Sequence, residues 1–430
     1  MSMLRGRAAA VIDLWRFFDH NAPSACPISF SIESATVPNT RAVFCFTIAF
    51  AFGISSPGMA HEGHDHDHDS SGQHPATAVD LATAKNTFNA NGKTYRWEHR
   101  PELGKQTDAM IAAAKGGLHN NADVDQTTHE IVTVVAKHGL VTLDAELKEW
   151  KLVEGQDSIF ADGMNAHGTD CFVMDGQSYW AFASTNTGEV VVSQRGKVVA
   201  SLKQPKGTEF DNPTVNSYFA AGGRFTPCDV VYLPEAKRLV AVIGYAPGDY
   251  ALSAELRDGQ WQWGGPAWGG KENVGGPFNT AHGVQVATKG GQEIVEVASR
   301  AHGRIYAFTA NGAQIKAHGA DKEYYVELPK GSNPCNISYS NSSMFLPLLN
   351  PLSMTNGLAP VLVMNGGKPS GSLIPATYDE LEYMHHMHGF CPVEKDGKLY
   401  GVVLSWPNGG ENAKGKRNDG RIAIFEAVAQ

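Results

Sequence analysis

The chain has 430 residues, 42% of them apolar and 18% charged, with 46 glycines and a formal net charge of -9. This is ample to bury a large core and allows one to three domains. With no Lys/Arg-rich run, the composition argues against nucleic acid or an anionic membrane as partner.

The first informative stretch runs from Arg41. Ala42 to Ile54 is apolar and 13 residues long, and Gly58-Met59-Ala60 closes it with a small-x-small end. A membrane span needs roughly 20 residues, so this segment reads as a secretory signal peptide cleaved after Ala60. Residues 1–60 are thus a leader whose upstream part exceeds normal signal proportions, and Val37 is an alternative start. The expectation is a periplasmic protein with no membrane insertion after cleavage. Cys26 and Cys45 would be lost, leaving Cys171, Cys228, Cys335 and Cys391. An even number of cysteines in an oxidising compartment favours disulfides.

Residues 61–80 form an expected flexible tail that opens on His61-Glu62-Gly63-His64-Asp65-His66-Asp67-His68-Asp69. In an extended chain side chains alternate, so His64, His66 and His68 share one side opposite aspartates. Imidazole suits zinc and also copper or nickel. Cleavage after Ala60 would add a free α-amino group at His61, which keeps copper open. A flexible backbone can gather these ligands around one ion without a fold.

Residues 81–430 carry short β-rich runs between Gly, Asn and Asp, the signal of an all-β domain. The runs repeat. His119, His282 and His388 are each followed eleven residues later by a strand-like run, beginning at Glu130, Glu293 and Leu399. Glycine-led strands follow near His138, His302 and Asp419. His167 leads to Ser178–Ser184, Pro227 leads to Arg238–Gly244, and Pro334 begins a degenerate unit containing Phe345–Leu349. The anchors at 119, 167, 227, 282, 334 and 388 lie 48 to 60 residues apart. A period of about 50 residues with three or four strands each predicts a β-propeller, six blades favoured. Seven remain possible, because residues 75–118 can supply an atypical blade or the strand that closes the ring.

The anchor column faces the centre of such a ring. Three anchors read His-Gly, at His167, His282 and His388, and they alternate with Pro-Cys. Alternate blades of six lie about 120° apart, so these three imidazoles would converge and leave a fourth tetrahedral position open. His119 shares the column without the glycine and is a further candidate ligand. Cys171 to Cys228 is 57 residues and Cys335 to Cys391 is 56, which suggests disulfides Cys171–Cys228 and Cys335–Cys391.

The His/Asp tract from His61 to Asp69 and the repeat with inward histidines resemble the periplasmic zinc metallochaperones of the AztD type. That resemblance implies a secreted β-propeller that binds Zn2+ and passes it to the solute-binding protein of a zinc ABC importer. A second resemblance is to six-bladed propellers of the peptidyl-hydroxyglycine lyase class, where channel histidines hold a catalytic zinc. This alternative, a zinc-dependent lyase-like or hydrolase-like enzyme, calls for acid–base groups near the histidines, with Asp170, Asp229 and Tyr383 as candidates. No nucleophile elbow, zinc-protease helix, phosphate loop or dinucleotide fingerprint is present.

Overall fold

The computed structural model describes residues 86–317, 319–320, 324–352, 355, 357–407 and 418–430. The expected leader and tail, with His61, His64, His66 and His68, lie outside these residues. Among the described residues, no helix is long and apolar enough to cross a membrane.

The domain is all-β and almost wholly antiparallel. A hairpin of β1 (Thr87–Ala90) and β2 (Lys93–His99) leads to α1 (Asp108–Gly117), capped by the Thr107 hydroxyl accepting from Met110 N. Six units follow. The first holds β3 (Asp123–Val124), β4 (Ile131–Val135), β5 (Gly139–Leu143) and β6 (Trp150–Leu152). The second holds β7 (Ala166–Met174), β8 (Gln177–Ser184), β9 (Glu189–Gln194) and β10 (Lys197–Leu202). After α2 (Pro213–Ala220), the third holds β11 (Asp229–Leu233), β12 (Arg238–Val242), β13 (Tyr250–Arg257) and β14 (Gln260–Gly269). In the fourth, β15 (Ala281–Lys289), β16 (Gln292–Ser299) and β17 (Arg304–Thr309) are completed by β18 (Gln314–Ile315) and β19 (Tyr325–Glu327), both paired to β17. The fifth holds β20 (Ser338–Ser340), β21 (Ser343–Pro347), β22 (Val361–Asn365) and β23 (Lys368–Leu373).

The sixth unit is built from both ends of the described chain. β24 (Met387–Lys395), β25 (Lys398–Ser405) and β26 (Ile422–Ala429) take β2 as their outer strand, with Trp97 opposite Ala427. β1 touches β23 at a single pair, Phe88 and Gly371, which joins the fifth and sixth units into one nine-stranded sheet.

Packing follows the two-residue period of a strand. On β12, Leu239 and Ala241 face one apolar cluster, while Val240 and Val242 face the next. Every second strand is sandwiched in this way, which explains its continuous apolar run in place of polar alternation. Six such clusters lie between successive units, and the last joins Val402 and Leu404 of the sixth to Ile131 and Val141 of the first. The circuit of sheets is therefore closed. Each fully buried Val, Leu or Phe contributes about 1.5–3 kcal/mol, so the inter-sheet clusters carry most of the stability.

Candidate metal centre

The first strands of the second, fourth and sixth units share a local irregularity. In β7, Ala166 pairs with Ser184 and Gly168 with Ala183, so His167 has no partner opposite it. His282 is skipped in the same way between Ala281 and Gly283, and His388 between Met387 and Gly389. Each histidine is the extra residue of a β-bulge, a device that re-aims a side chain. The glycine that follows has no room for a Cβ. At Gly168 it would meet Asp229 Cα at 2.6 Å, at Gly283 Asn336 Cα at 2.9 Å, and at Gly389 Asn121 Cα at 2.6 Å.

The bulges bring the three imidazoles together. Ring centroids are 4.5 Å apart for His167–His282, 4.5 Å for His167–His388 and 5.3 Å for His282–His388. His119 joins them, 4.4 Å from His167 and 4.6 Å from His388, with Trp406 stacked on it at 4.8 Å. All four are buried. His119, His167 and His388 each present a ligand atom within 4.8 Å of the others, as do His282, Cys335 and His388, so either set can hold a metal ion.

Hydrogen bonds orient two of the rings. His167 Nδ1 lies 2.7 Å from the Cys228 carbonyl oxygen, and His282 Nδ1 lies 2.7 Å from that of Cys335. A carbonyl only accepts, so both Nδ1 atoms carry the proton and both Nε2 atoms present lone pairs. This is the support commonly given to a metal-ligating histidine. For His388 the corresponding neighbour is the Asn120 backbone, although Nδ1 itself closes no bond of normal geometry. Its Nε2 lies 3.3 Å from His167 Nε2. One proton can sit in that contact, or an ion can replace it.

Two residues outside the sequence-derived set complete the site. The Tyr245 hydroxyl lies 2.9 Å from His282 Nε2 and 3.2 Å from His167 Nε2, and accepts from Arg300 Nη1 at 2.9 Å. The Arg300 guanidinium also sits over the Tyr245 ring at 5.1 Å. Burial opposes its charge, but Tyr245, Cys335 and Cys228 offset this and hold its pKa above the ordinary value. Burial lowers the His167 pKa to about 3, with Arg300 adding to the effect against the Cys228 bond. His282 and His388 are pushed well below the usual imidazole range, again first by burial and then by Arg300 and their histidine neighbours. These three imidazoles are therefore neutral at neutral pH, the state a metal ion requires. Burial raises the Tyr245 phenol.

Tyr245 and Arg300 have a signal in the repeat. Both follow the end of a second strand, as Trp406 does after Ser405 and Thr185 after Ser184. Tyr245 lies three residues past the end of β12 and Arg300 one residue past the end of β16, so single-column alignment passes over both.

Two expectations need correction. The anchor column slips by one residue in the odd units, because the first strand is bulged against the second only in the even ones. Cys228 and Cys335, not Pro227 and Pro334, stand level with His167 and His282. The disulfides Cys171–Cys228 and Cys335–Cys391 are not formed, and all four cysteines are free and buried. Cys171 lies four residues beyond the level of Cys228, about 13 Å along a strand, whereas a disulfide needs Cα atoms within roughly 7 Å. Cys391, three residues beyond His388, is displaced from Cys335 in the same sense. The acid–base candidates have these partners. Asp170 accepts from Tyr232 N at 2.8 Å and Asp229 from Val284 N at 3.0 Å, while Tyr383 lies beneath Arg421 at 5.0 Å.

No protein-family profile matches the chain, and no curated protein matches it. Among solved structures, a chain from the crystal structure of a nidogen/laminin complex is similar over 71% of this chain and 96% of that one. The identity is 11% and the TM-score 0.42. A likeness at that level says nothing of ligand or activity.

Proposed function

We propose that the chain is a six-bladed β-propeller that binds zinc at its centre and carries the ion as cargo. It delivers the ion in the periplasm to the solute-binding protein of a zinc ABC importer. The observation that carries this reading is the convergence of four buried imidazoles, from positions 119, 167, 282 and 388, three of them set on bulges. A propeller accounts for the closed circuit of sheets, with β2 sealing the sixth blade. His61, His64, His66 and His68 supply a capture tail, and the central histidines a storage site. Ligand exchange between the two needs no redox change, which suits zinc, while the same donors also accept copper.

The test is transfer. Zinc-loaded protein is mixed with apo solute-binding protein in the presence of a competing chelator. Delivery faster than from free zinc supports the reading, and delivery at the free-ion rate rejects it. Elemental analysis of the mature chain and of a chain starting after Pro75 separates the two sites, with two ions expected to fall to one.

A second reading is favoured by one observation, the Tyr245–Arg300 pair bonded to the histidines. A phenol held by an arginine beside a Lewis-acidic ion is a proton-transfer arrangement, as an enzyme of the peptidyl-hydroxyglycine lyase class would need. Turnover of a peptidyl-α-hydroxyglycine that disappears in Tyr245→Phe while metal content is retained would favour this reading over cargo transport.

A further inference from the structure

The centre holds two ligand sets, and they overlap. His119, His167 and His388 form an all-nitrogen set, while His282, Cys335 and His388 form one containing sulfur, with ligand atoms in each set within 4.8 Å of one another. His388 belongs to both. The overlap follows from the register described above. At the level of the three bulged histidines, the intervening units present Asn120, Cys228 and Cys335, so imidazoles alternate with other side chains around the centre. Of the two cysteines at this level, only Cys335 reaches a ligand set.

Cys335 is 2% exposed and is not oxidised. Its sulfur lies 3.8 Å from the Asn333 carbonyl, a weak contact that a metal bond would readily displace. Its own carbonyl fixes His282, so one residue both orients a ligand of this set and contributes another. Burial raises the Cys335 thiol to about 11, and the Arg300 guanidinium opposes that rise through its charge and a hydrogen bond to the sulfur.

We propose that Cys335 is a metal ligand and that a bound ion can move between the nitrogen-only set and the sulfur-containing set about His388 as a fixed pivot. This rests on the central histidines being a metal site, the reading given above. When the sulfur–metal bond forms, the S–H bond breaks and its proton leaves to solvent. The nitrogens of His167 and His282 need lose none, because their Nε2 atoms are already bare, and the proton His388 holds toward His167 shifts to its own Nδ1 as Nε2 takes the ion, so no imidazole gives up a net proton. Thiolate is the softer donor, so the second set extends the site from zinc toward Cu(I) and gives a departing ion an intermediate foothold. Exchange by single ligand replacement avoids release of a free ion.

Cobalt(II), added to the metal-free mature protein in equimolar amount, tests the proposal. Visible d–d bands report tetrahedral binding by any of these ligands, and a near-ultraviolet sulfur-to-cobalt charge-transfer band reports Cys335. The wild-type protein should show both. Cys335→Ser should lose the charge-transfer band and keep the d–d bands, whereas Cys228→Ser should keep both. His119→Ala, which weakens only the nitrogen set, should strengthen the charge-transfer band per ion. X-ray absorption of the zinc-loaded wild-type protein needs no variant and should show a sulfur neighbour at about 2.3 Å. Strong d–d bands without a sulfur band, and zinc without a sulfur neighbour, would overturn the role of Cys335 and leave the histidine site standing. Absence of both kinds of band would overturn the site itself.

Discussion

At the residue scale, burial decides how the histidines meet protons and metal. Ordinary imidazole titrates near pH 6.5, so zinc binding to the His61–His68 tract should weaken as pH falls through that value. His167 instead resists protonation down to about pH 3, because desolvation and Arg300 both disfavour its charged form. His282 and His388 are shifted the same way. Proton competition at the centre is therefore displaced to strongly acidic conditions. Zinc titrations of the chain lacking the tail should give an affinity that changes little between about pH 7 and pH 5, far less than the tail's own decline. A parallel decline in the two would mean that the central rings are solvated. The glycines beside the histidines bear on the same geometry. A Cβ at Gly283 would meet Asn336 Cα at 2.9 Å and Cys335 O at 3.0 Å, both backbone atoms. Gly283→Ala should cost about 1–3 kcal/mol, read from the urea midpoint, and should weaken metal binding by parting His282 from the carbonyl that orients it.

At the scale of elements, the outer strand of the sixth unit is the junction between the two ends of the described chain. Trp97 on β2 is 1% exposed and packs against Phe88 at 5.1 Å and Phe390 at 5.9 Å. Trp97→Ala should cost about 3–5 kcal/mol, measured by equilibrium denaturation. A loss under 1 kcal/mol would show that β2 closes nothing. Much of this architecture was legible, because second strands such as Ile131–Val135 are buried on both faces and print their apolar runs directly into the sequence. The His-Gly pairs were legible as a column, but the reason for them was not. A bulge is a mismatch between two paired strands, and neither strand records it alone. For the same reason the one-residue slip that sets Cys228 and Cys335 level with the histidines could not be read from spacing. Tyr245 and Arg300 stayed hidden because each follows a second strand, and the residues that follow other second strands, such as Thr185 and Trp406, share no common type or fixed offset with them.

At the scale of the whole molecule, the metal set draws on four units that only the closed circuit of sheets brings to one centre. His119, His167, His282 and His388 come from the first, second, fourth and sixth units. An unfolded chain scatters these ligands over some 270 residues, so it cannot reproduce the site, and an ion that binds there binds the folded state alone. Such a ligand stabilises folding by about 4 kcal/mol at a free concentration a thousand times its dissociation constant. Zinc should therefore raise the denaturation midpoint of the chain that starts after Pro75, and by nearly the same amount as in the mature chain, since the tail can bind zinc without folding. His167→Ala combined with His388→Ala removes ligands from both overlapping sets and should abolish the rise while leaving the metal-free midpoint within about 2 kcal/mol, allowing for the cavities left by two buried rings. An undiminished rise in that double variant would place the stabilising ion elsewhere. A rise confined to the mature chain would place it on the tail.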